Sequence, residues 1–148
     1  MKPIPTIPAA LLLLSLTSPP VFAEGAGIEW DILNQEVMEL HRAGKYDRAV
    51  VVAQKALEVA ENSVGADHPD VALSLNNLAV LYLHQGQYAS AEPLCKRALA
   101  IHEKALGPDH PSVATSLGNL AGLYRATERT EEAKKLERRA ERILAMKR

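Results

Sequence analysis

Apolar residues along this chain recur at the spacing of amphipathic helices, and short polar turns interrupt them. Within 71–84, the residues Leu75, Leu78, Ala79 and Tyr82 occupy positions i, i+3, i+4 and i+7, which share one helix face. The segment 85–87, with Gly86 at its centre, breaks the run. A second helical stripe follows, formed by Tyr88, Ala91, Leu94, Cys95, Ala98 and Ile101. The pattern predicts two helices joined by a tight turn.

The same pattern returns after 42 residues, from Val71 to Val113. Most residues of 71–82 are identical to their counterparts in 113–124. A more divergent copy precedes them, in which Gly44-Lys45-Tyr46 aligns with Gly86-Gln87-Tyr88. We therefore predict three repeats, near 29–70, 71–112 and 113–148, which is about the minimum number that buries a continuous core. Because no stretch alternates like a strand, the predicted fold class is all-α.

Both junctions between repeats carry the same glycine, aspartate and proline pattern. The glycine can take the left-handed conformation that ends a helix, the aspartate can cap the next helix, and the proline suits its first turn. The residues are Gly65, Asp67 and Pro69 at the first junction and Gly107, Asp109 and Pro111 at the second. Two histidines, His68 and His110, recur beside them. They lie one repeat apart and should not converge, so we expect a junction role and no metal site.

These repeats resemble the kinesin-light-chain class of tetratricopeptide repeat, a longer form of the 34-residue repeat. The resemblance rests on Asn-Asn-Leu-Ala-x-Leu-Tyr at 76–82, Gly-x-Tyr at 86–88, Ala-Glu-Pro-Leu at 91–94, Arg-Ala-Leu-Ala-Ile at 97–101 and Ala-Leu-Gly-Pro-Asp-His-Pro at 105–111. It implies a right-handed α-solenoid of three antiparallel helix pairs, whose first helices line a concave groove. It also implies protein or peptide binding without intrinsic catalysis.

In such a fold, the groove is lined by the face of each first helix that does not enter the core. The stripe comprises Leu73, Asn76, Asn77, Val80 and His84 in the second repeat and Thr115, Gly118, Asn119, Gly122 and Ala126 in the third. In the first repeat it comprises Asp31, Asn34, Gln35, Met38 and Arg42. The candidate peptide-binding residues are Leu73, Asn76, Asn77, Val80, His84, Thr115, Asn119 and Gly122.

Amides dominate the middle of this stripe and have two interpretations. An amide carries donors and an acceptor, so Asn77 and Asn119 can pair with the backbone of an extended peptide. They can equally bond a neighbouring helix and maintain the superhelical angle. Gly118 and Gly122 either form a recess for a ligand or reflect sequence drift in a terminal repeat. Leu73 and Thr115 stand where a basic clamp residue would be expected, so we predict no carboxylate clamp.

The first residues have the organisation of a secretory signal peptide. Lys2 provides a positive charge, 9–16 form a short apolar core, and Val21-Phe22-Ala23 ends in small residues at the positions that a signal peptidase reads. The apolar run is too short to cross a bilayer of about 30 Å. We predict a signal peptide at 1–23, cleaved after Ala23, and a repeat domain at 24–148. Export to a bacterial periplasm is the first expectation and secretion the second.

Net charge, the single cysteine and the absence of known motifs argue against several classes of function. The net charge is −1, and removal of Lys2 brings it to −2, so nucleic acid is not an expected partner. Cys95 is the only cysteine and lies on a core stripe, where a thiol is not activated. The sequence contains no phosphate loop, no CxxC pair and no HExxH. We therefore predict no enzyme activity, no cofactor, no metal site and no membrane span in the mature chain.

The two ends of the array look different. The third repeat replaces the Gly-x-Tyr turn with 127–130, and its last helix alternates basic and acidic residues, as a capping helix does. At the other end, Ile28 and Trp30 should pack across the exposed edge. We predict an exported adaptor or scaffold that binds a protein or peptide in its groove. The alternative is a structural envelope component with weak self-association.

Overall fold

The computed structural model describes residues 21–147, which form six α-helices and no strand. The helices are α1 (Val21–Arg42), α2 (Tyr46–Val64), α3 (Pro69–His84), α4 (Tyr88–Leu106), α5 (Pro111–Ala126) and α6 (Thr130–Ala145). They pack as three antiparallel pairs that stack in chain order, so the all-α solenoid is confirmed. The predicted signal peptide lies outside the described residues except for 21–23, which begin α1.

Small residues allow the helices of each pair to approach closely. Ala79 and Ala91 face each other across the second pair, and both are fully buried. Larger side chains, such as Leu75 and Leu117, fill the space between pairs, and each is fully buried. Cys95 lies in the same core, as predicted, with no exposed surface. Continuous close packing of this kind explains how a short repeat array stays folded without cross-links.

Histidines, not aspartates, cap the first helices of the second and third pairs. His68 adopts an extended backbone, and its Nδ1 atom accepts a hydrogen bond from the Asp70 backbone N–H at 3.1 Å. His110 caps α5 in the same way through the Ser112 N–H, also at 3.1 Å. The predicted caps Asp67 and Asp109 were therefore wrong by one residue. Proline follows each histidine directly, as its fixed φ favours in a first helical turn.

The turns inside the three pairs have one geometry despite their different sequences. Gly44 and Gly86 have φ values of +70° and +72°, and Glu128 adopts +62° in the third pair. In each turn the following residue donates its N–H to a carbonyl five residues earlier, as Arg129 does to Tyr124 at 2.7 Å. The third repeat thus keeps the turn although it lost the glycine, at the cost of a left-handed non-glycine residue.

The first helix contributes one packing residue at its exposed edge, not two. Trp30 packs against the cluster of Val71 and Leu75, and its Nε1 atom donates to Ser74 Oγ at 2.8 Å. Ile28 is 63% exposed, so its predicted packing role was wrong. A helix position faces the core once every three to four residues, and Ile28 lies two positions from Trp30, on the outer side.

Candidate functional site

A cleft of about 320 Å³ lies between α3 and α5 on the concave side of the array. Six predicted groove residues line it: Leu73, Asn76, Asn77, Val80, Thr115 and Asn119. Its other lining residues are His102 and Ser112, which sequence reasoning missed. Two further predicted residues, His84 and Gly122, lie outside the lining. The cleft is at the small end of protein ligand pockets and would hold a few side chains of a larger partner.

A buried polar cluster forms the floor of the cleft. Asn76 Nδ2 donates to Ser116 Oγ at 3.0 Å, and the same oxygen lies 2.9 Å from His102 Nδ1. Since a serine hydroxyl has one proton, it can donate to His102 while it accepts from Asn76. Asn76 is only 3% exposed, so most of its side chain lies in the interior and joins α3 to α5.

His102 remains neutral in this cluster near pH 7. Burial lowers the pKa of its imidazole, and the charge of nearby His110 lowers it further. Hydrogen bonds to the backbone at Ser112 and Pro69 raise the pKa, but by less. A sequence signal for this residue existed. The 42-residue shift aligns His102 with Ala60 and Leu144, so an ionisable side chain stands where the other repeats carry apolar ones.

The two central amides of the stripe differ in their partners. Asn77 is half-buried, and its Nδ2 atom donates to Asn34 Oδ1 of α1 at 3.2 Å. Asn119 is also half-buried, but its side chain bonds to no residue within 21–147. Of the two, Asn119 is therefore the one whose hydrogen-bonding groups are available to a ligand.

His84 belongs to an aromatic cluster at the C-terminal end of α3. Its ring stacks on Tyr46 with a centroid separation of 5.2 Å and an interplanar angle of 2°. The centroid of the His41 ring lies 4.9 Å from that of the His84 ring. The cluster joins the ends of α1 and α3 to the start of α2, so the structure separates His84 from the cleft.

The third repeat presents a strip of bare backbone beside Asn119. Gly118 and Gly122 are exposed, and a Cβ atom placed on either would meet no atom within 4 Å. Internal packing therefore does not require glycine at these positions. Each residue costs about 1 kcal/mol relative to alanine inside a helix, so the protein loses stability where it gains nothing in packing.

The cleft is uncharged, and its rim is partly apolar. None of the lining residues carries a formal charge at pH 7 when His102 is neutral. Within the predicted groove stripe, formal charges lie in α1, at Asp31 and Arg42. Leu73 is 44% exposed and supplies an apolar contact at the rim. The arrangement favours a neutral, partly apolar ligand with hydrogen-bonding groups.

The part of the chain that the structure describes contains no cluster of metal-ligating side chains. No three histidine, cysteine, aspartate or glutamate residues of 21–147 group as a metal site would require. Burial raises the pKa of the Cys95 thiol to about 11, so it is not a nucleophile near neutral pH. None of the six helices has both the length and the apolar character needed to cross a membrane.

Comparisons with known proteins agree with this architecture. A protein-family model described as a tetratricopeptide repeat matches residues 38–94 and 72–145. The fold is similar to the crystal structure of BtubC (BKLC) from P. vanneervenii, with a TM-score of 0.72 and 30% identity over 79% of this chain. It is also similar to a Podosopora anserina protein with nearly identical kinesin-light-chain TPR-like repeats, with a TM-score of 0.71 and 26% identity over 78% of this chain.

Two curated proteins share about half of the chain. The RxLR effector protein SFI4 of Phytophthora infestans (strain T30-4) is 33% identical over 69 residues, which are 47% of this chain and 20% of that protein. The secreted RxLR effector protein RXLR-C07 of Plasmopara halstedii is 31% identical over 71 residues, or 48% and 22%. The chain thus matches about a fifth of these relatives and about half of the two structures, 47% and 54%.

Proposed function

The chain belongs to the tetratricopeptide repeat family, and from that premise we propose that it is an exported adaptor that holds an extended, uncharged peptide segment in the cleft between α3 and α5. The observation that carries the proposal is the cleft itself. It lies on the concave face, brings six groove residues together and contains no formal charge. The fold is a protein-interaction scaffold, and the cleft is the feature that makes this member selective.

The chemistry of the cleft favours a peptide over a compact small molecule. Its lining places amide and hydroxyl groups next to Leu73 and Val80. An extended peptide offers backbone N–H and C=O groups to such amides, and it offers apolar side chains to the rim. A ligand bound mainly by charge would need lysine or arginine pairs, which the lining lacks.

Selection from a random peptide display library tests this proposal. The full-length protein is used as bait, in parallel with Thr115→Trp, which places an indole over the cleft from an exposed position. Lys55→Trp, on the outer face of α2, is the matched control. We expect enriched peptides that bind wild type and Lys55→Trp and lose at least tenfold in affinity, about 1.4 kcal/mol, on Thr115→Trp. No enrichment, or equal binding to all three, would contradict the proposal.

Salt dependence separates this groove from an electrostatic one. Because the lining is neutral, affinity for a selected peptide should change by less than about threefold between low and high salt. A steep loss of affinity with salt would mean that charges outside the cleft carry the binding.

Mixing the labelled protein with an unlabelled copy in the same assay measures self-association, the competing function.

Export is part of the proposal and has its own support. The start of the sequence has the organisation of a signal peptide, and one relative is named a secreted protein. Mass spectrometry of the protein recovered outside the cytoplasm should give an N-terminus at Glu24. Fractionation of the source organism then distinguishes a periplasmic from a secreted product. Retention in the cytoplasm with residues 1–23 intact would refute export.

A further inference from the structure

Two histidines beside the cleft make hydrogen bonds that require an uncharged imidazole. His110 Nδ1 accepts from the Ser112 N–H at 3.1 Å and so caps α5. His102 Nδ1 lies 2.9 Å from Ser116 Oγ and accepts the hydroxyl proton, while the same oxygen accepts from Asn76. A protonated imidazole is a donor at both nitrogens, so it can accept neither bond. The junction keeps its bonding only while both histidines are neutral.

Protonation of His102 breaks the polar cluster that forms the floor of the cleft. The charged ring turns a donor towards Ser116 Oγ, which Asn76 already approaches with a donor of its own. The serine hydroxyl then loses the acceptor for its proton. Ser116 has no exposed surface and Asn76 only 3%, so water does not replace that acceptor. A buried hydroxyl without an acceptor destabilises the state that contains it.

The helices packed against α4 offer no compensation for a charge on His102. The first turn of α5 has no acidic residue, and a charged His110 at its start repels the imidazolium. Two carboxylates at the neighbouring helix ends face other side chains: Asp70 of α3 faces His68, and Glu103 of α4 faces Arg139. The other titratable side chains of α3 and α5 lie in their last turns, at Tyr82, His84, Tyr124 and Arg125. Within 21–147, no carboxylate raises the pKa of His102.

We propose that the cleft is an acid-sensitive binding site, in which protonation of His102 releases the bound segment. The inference rests on the proposed peptide-binding function and adds its regulation. An uncharged segment that covers the cleft removes the remaining water from the imidazole, so the charged form is less favourable in the complex than in the free protein. Peptide and proton therefore oppose each other, and each weakens the binding of the other. The exported protein would hold its partner near neutral pH and release it in acid.

The first junction lacks this sensitivity, although the repeats are related. The 42-residue shift aligns His102 with Ala60, which cannot take up a proton. Ser74, the counterpart of Ser116, accepts from the Trp30 indole, and that bond does not depend on pH in this range. The histidine therefore makes only the junction with the cleft responsive to acid, which links the sensitivity to binding.

Peptide affinity at two pH values tests the proposal on the full-length protein. The probe is a peptide from the display selection that has blocked ends and contains no histidine, aspartate or glutamate, so it does not titrate. Affinity is measured at about pH 7.5 and at the lowest pH, about 5, at which circular dichroism shows each protein folded. The proteins are wild type, His102→Gln, whose amide can accept from Ser116 without titrating, and His84→Gln, whose site lies outside the cleft.

The ratio of the two affinities separates a proton switch from a general loss of binding, which cancels in it. We expect acid to weaken binding at least about threefold in wild type and His84→Gln, and less than about twofold in His102→Gln. The peptide should also lower the pKa of His102 in an NMR titration, since the coupling is reciprocal.

Three results would overturn the switch while groove binding stands. They are an affinity that does not change with pH, tighter binding in acid, and equal acid losses in wild type and His102→Gln. A pKa of His102 that the peptide leaves unchanged would overturn it as well. A selection that enriches no peptide would instead overturn the proposed function, and the switch with it.

Discussion

The two junctions of this array use the same serine position in different ways. At the first junction, Ser74 accepts from the Trp30 indole at 2.8 Å, and the tryptophan covers it with apolar surface. At the second, Ser116 bonds to Asn76 and His102, and a cleft opens above this polar cluster. Two residues outside the repeat pattern, Trp30 and His102, produce the difference. Related repeats thus form one junction that an indole fills and one at which a cleft opens.

Removal of Trp30 should give the largest difference in stability between the two junctions. Trp30→Ala deletes a half-buried indole and leaves Ser74 without its donor, so we expect a loss of about 3 kcal/mol in the free energy of unfolding. His102→Ala at the other junction should lose only about 1 kcal/mol, because alanine already occupies the equivalent position 60. Urea denaturation followed by circular dichroism measures both. Equal losses would mean that the indole does not dominate the first junction.

The glycines of α5 should give the next largest effect, with the opposite sign. Gly118→Ala and Gly122→Ala should each raise the free energy of unfolding by about 1 kcal/mol, because both sites are helical and open. The same variants should weaken capture of the selected peptides. Gly86→Ala is the matched control. Its φ of +72° strains any other residue, so that variant should lose stability. If the two variants are stabilised and still capture the peptides, the glycines have no role in binding and reflect sequence drift.

Together with the family resemblance, repeat spacing predicted most of the fold, because a 42-residue identity determines which positions face the same neighbours. It could not identify the caps. Aspartate is a common N-cap residue, whereas the extended N-cap backbone falls one position later, at His68. It could not decide between the two roles of the amides either. Whether Asn77 or Asn119 is paired depends on the partner side chains, since Asn34 accepts from Asn77 whereas its counterpart Asn76 donates to Ser116.

Acid should weaken the second junction more than the first. The pKa of His102 is lowered in the folded protein by burial, so the unfolded chain binds the extra proton more readily. Stability should therefore fall as the pH drops below the ordinary histidine pKa of about 6.5, and the loss should end below the lowered folded pKa. Urea titrations at several pH values in this range measure how the free energy of unfolding changes with pH. This change should be smaller for His102→Gln than for the wild type. An unchanged pH dependence would show that His102 does not carry the acid sensitivity.

The smallest effect should come from an ion pair that both junctions share. Glu61 meets Arg97 at 2.7 Å across the first junction, and Glu103 meets Arg139 at 3.1 Å across the second. All four side chains are about a third exposed, so solvent screens them, and each pair should contribute less than about 1 kcal/mol. Double-mutant cycles to alanine at the two sites should give equal coupling energies within about 0.5 kcal/mol. A larger coupling at the second site would mean that charge, besides the buried polar cluster, distinguishes the junction that forms the cleft.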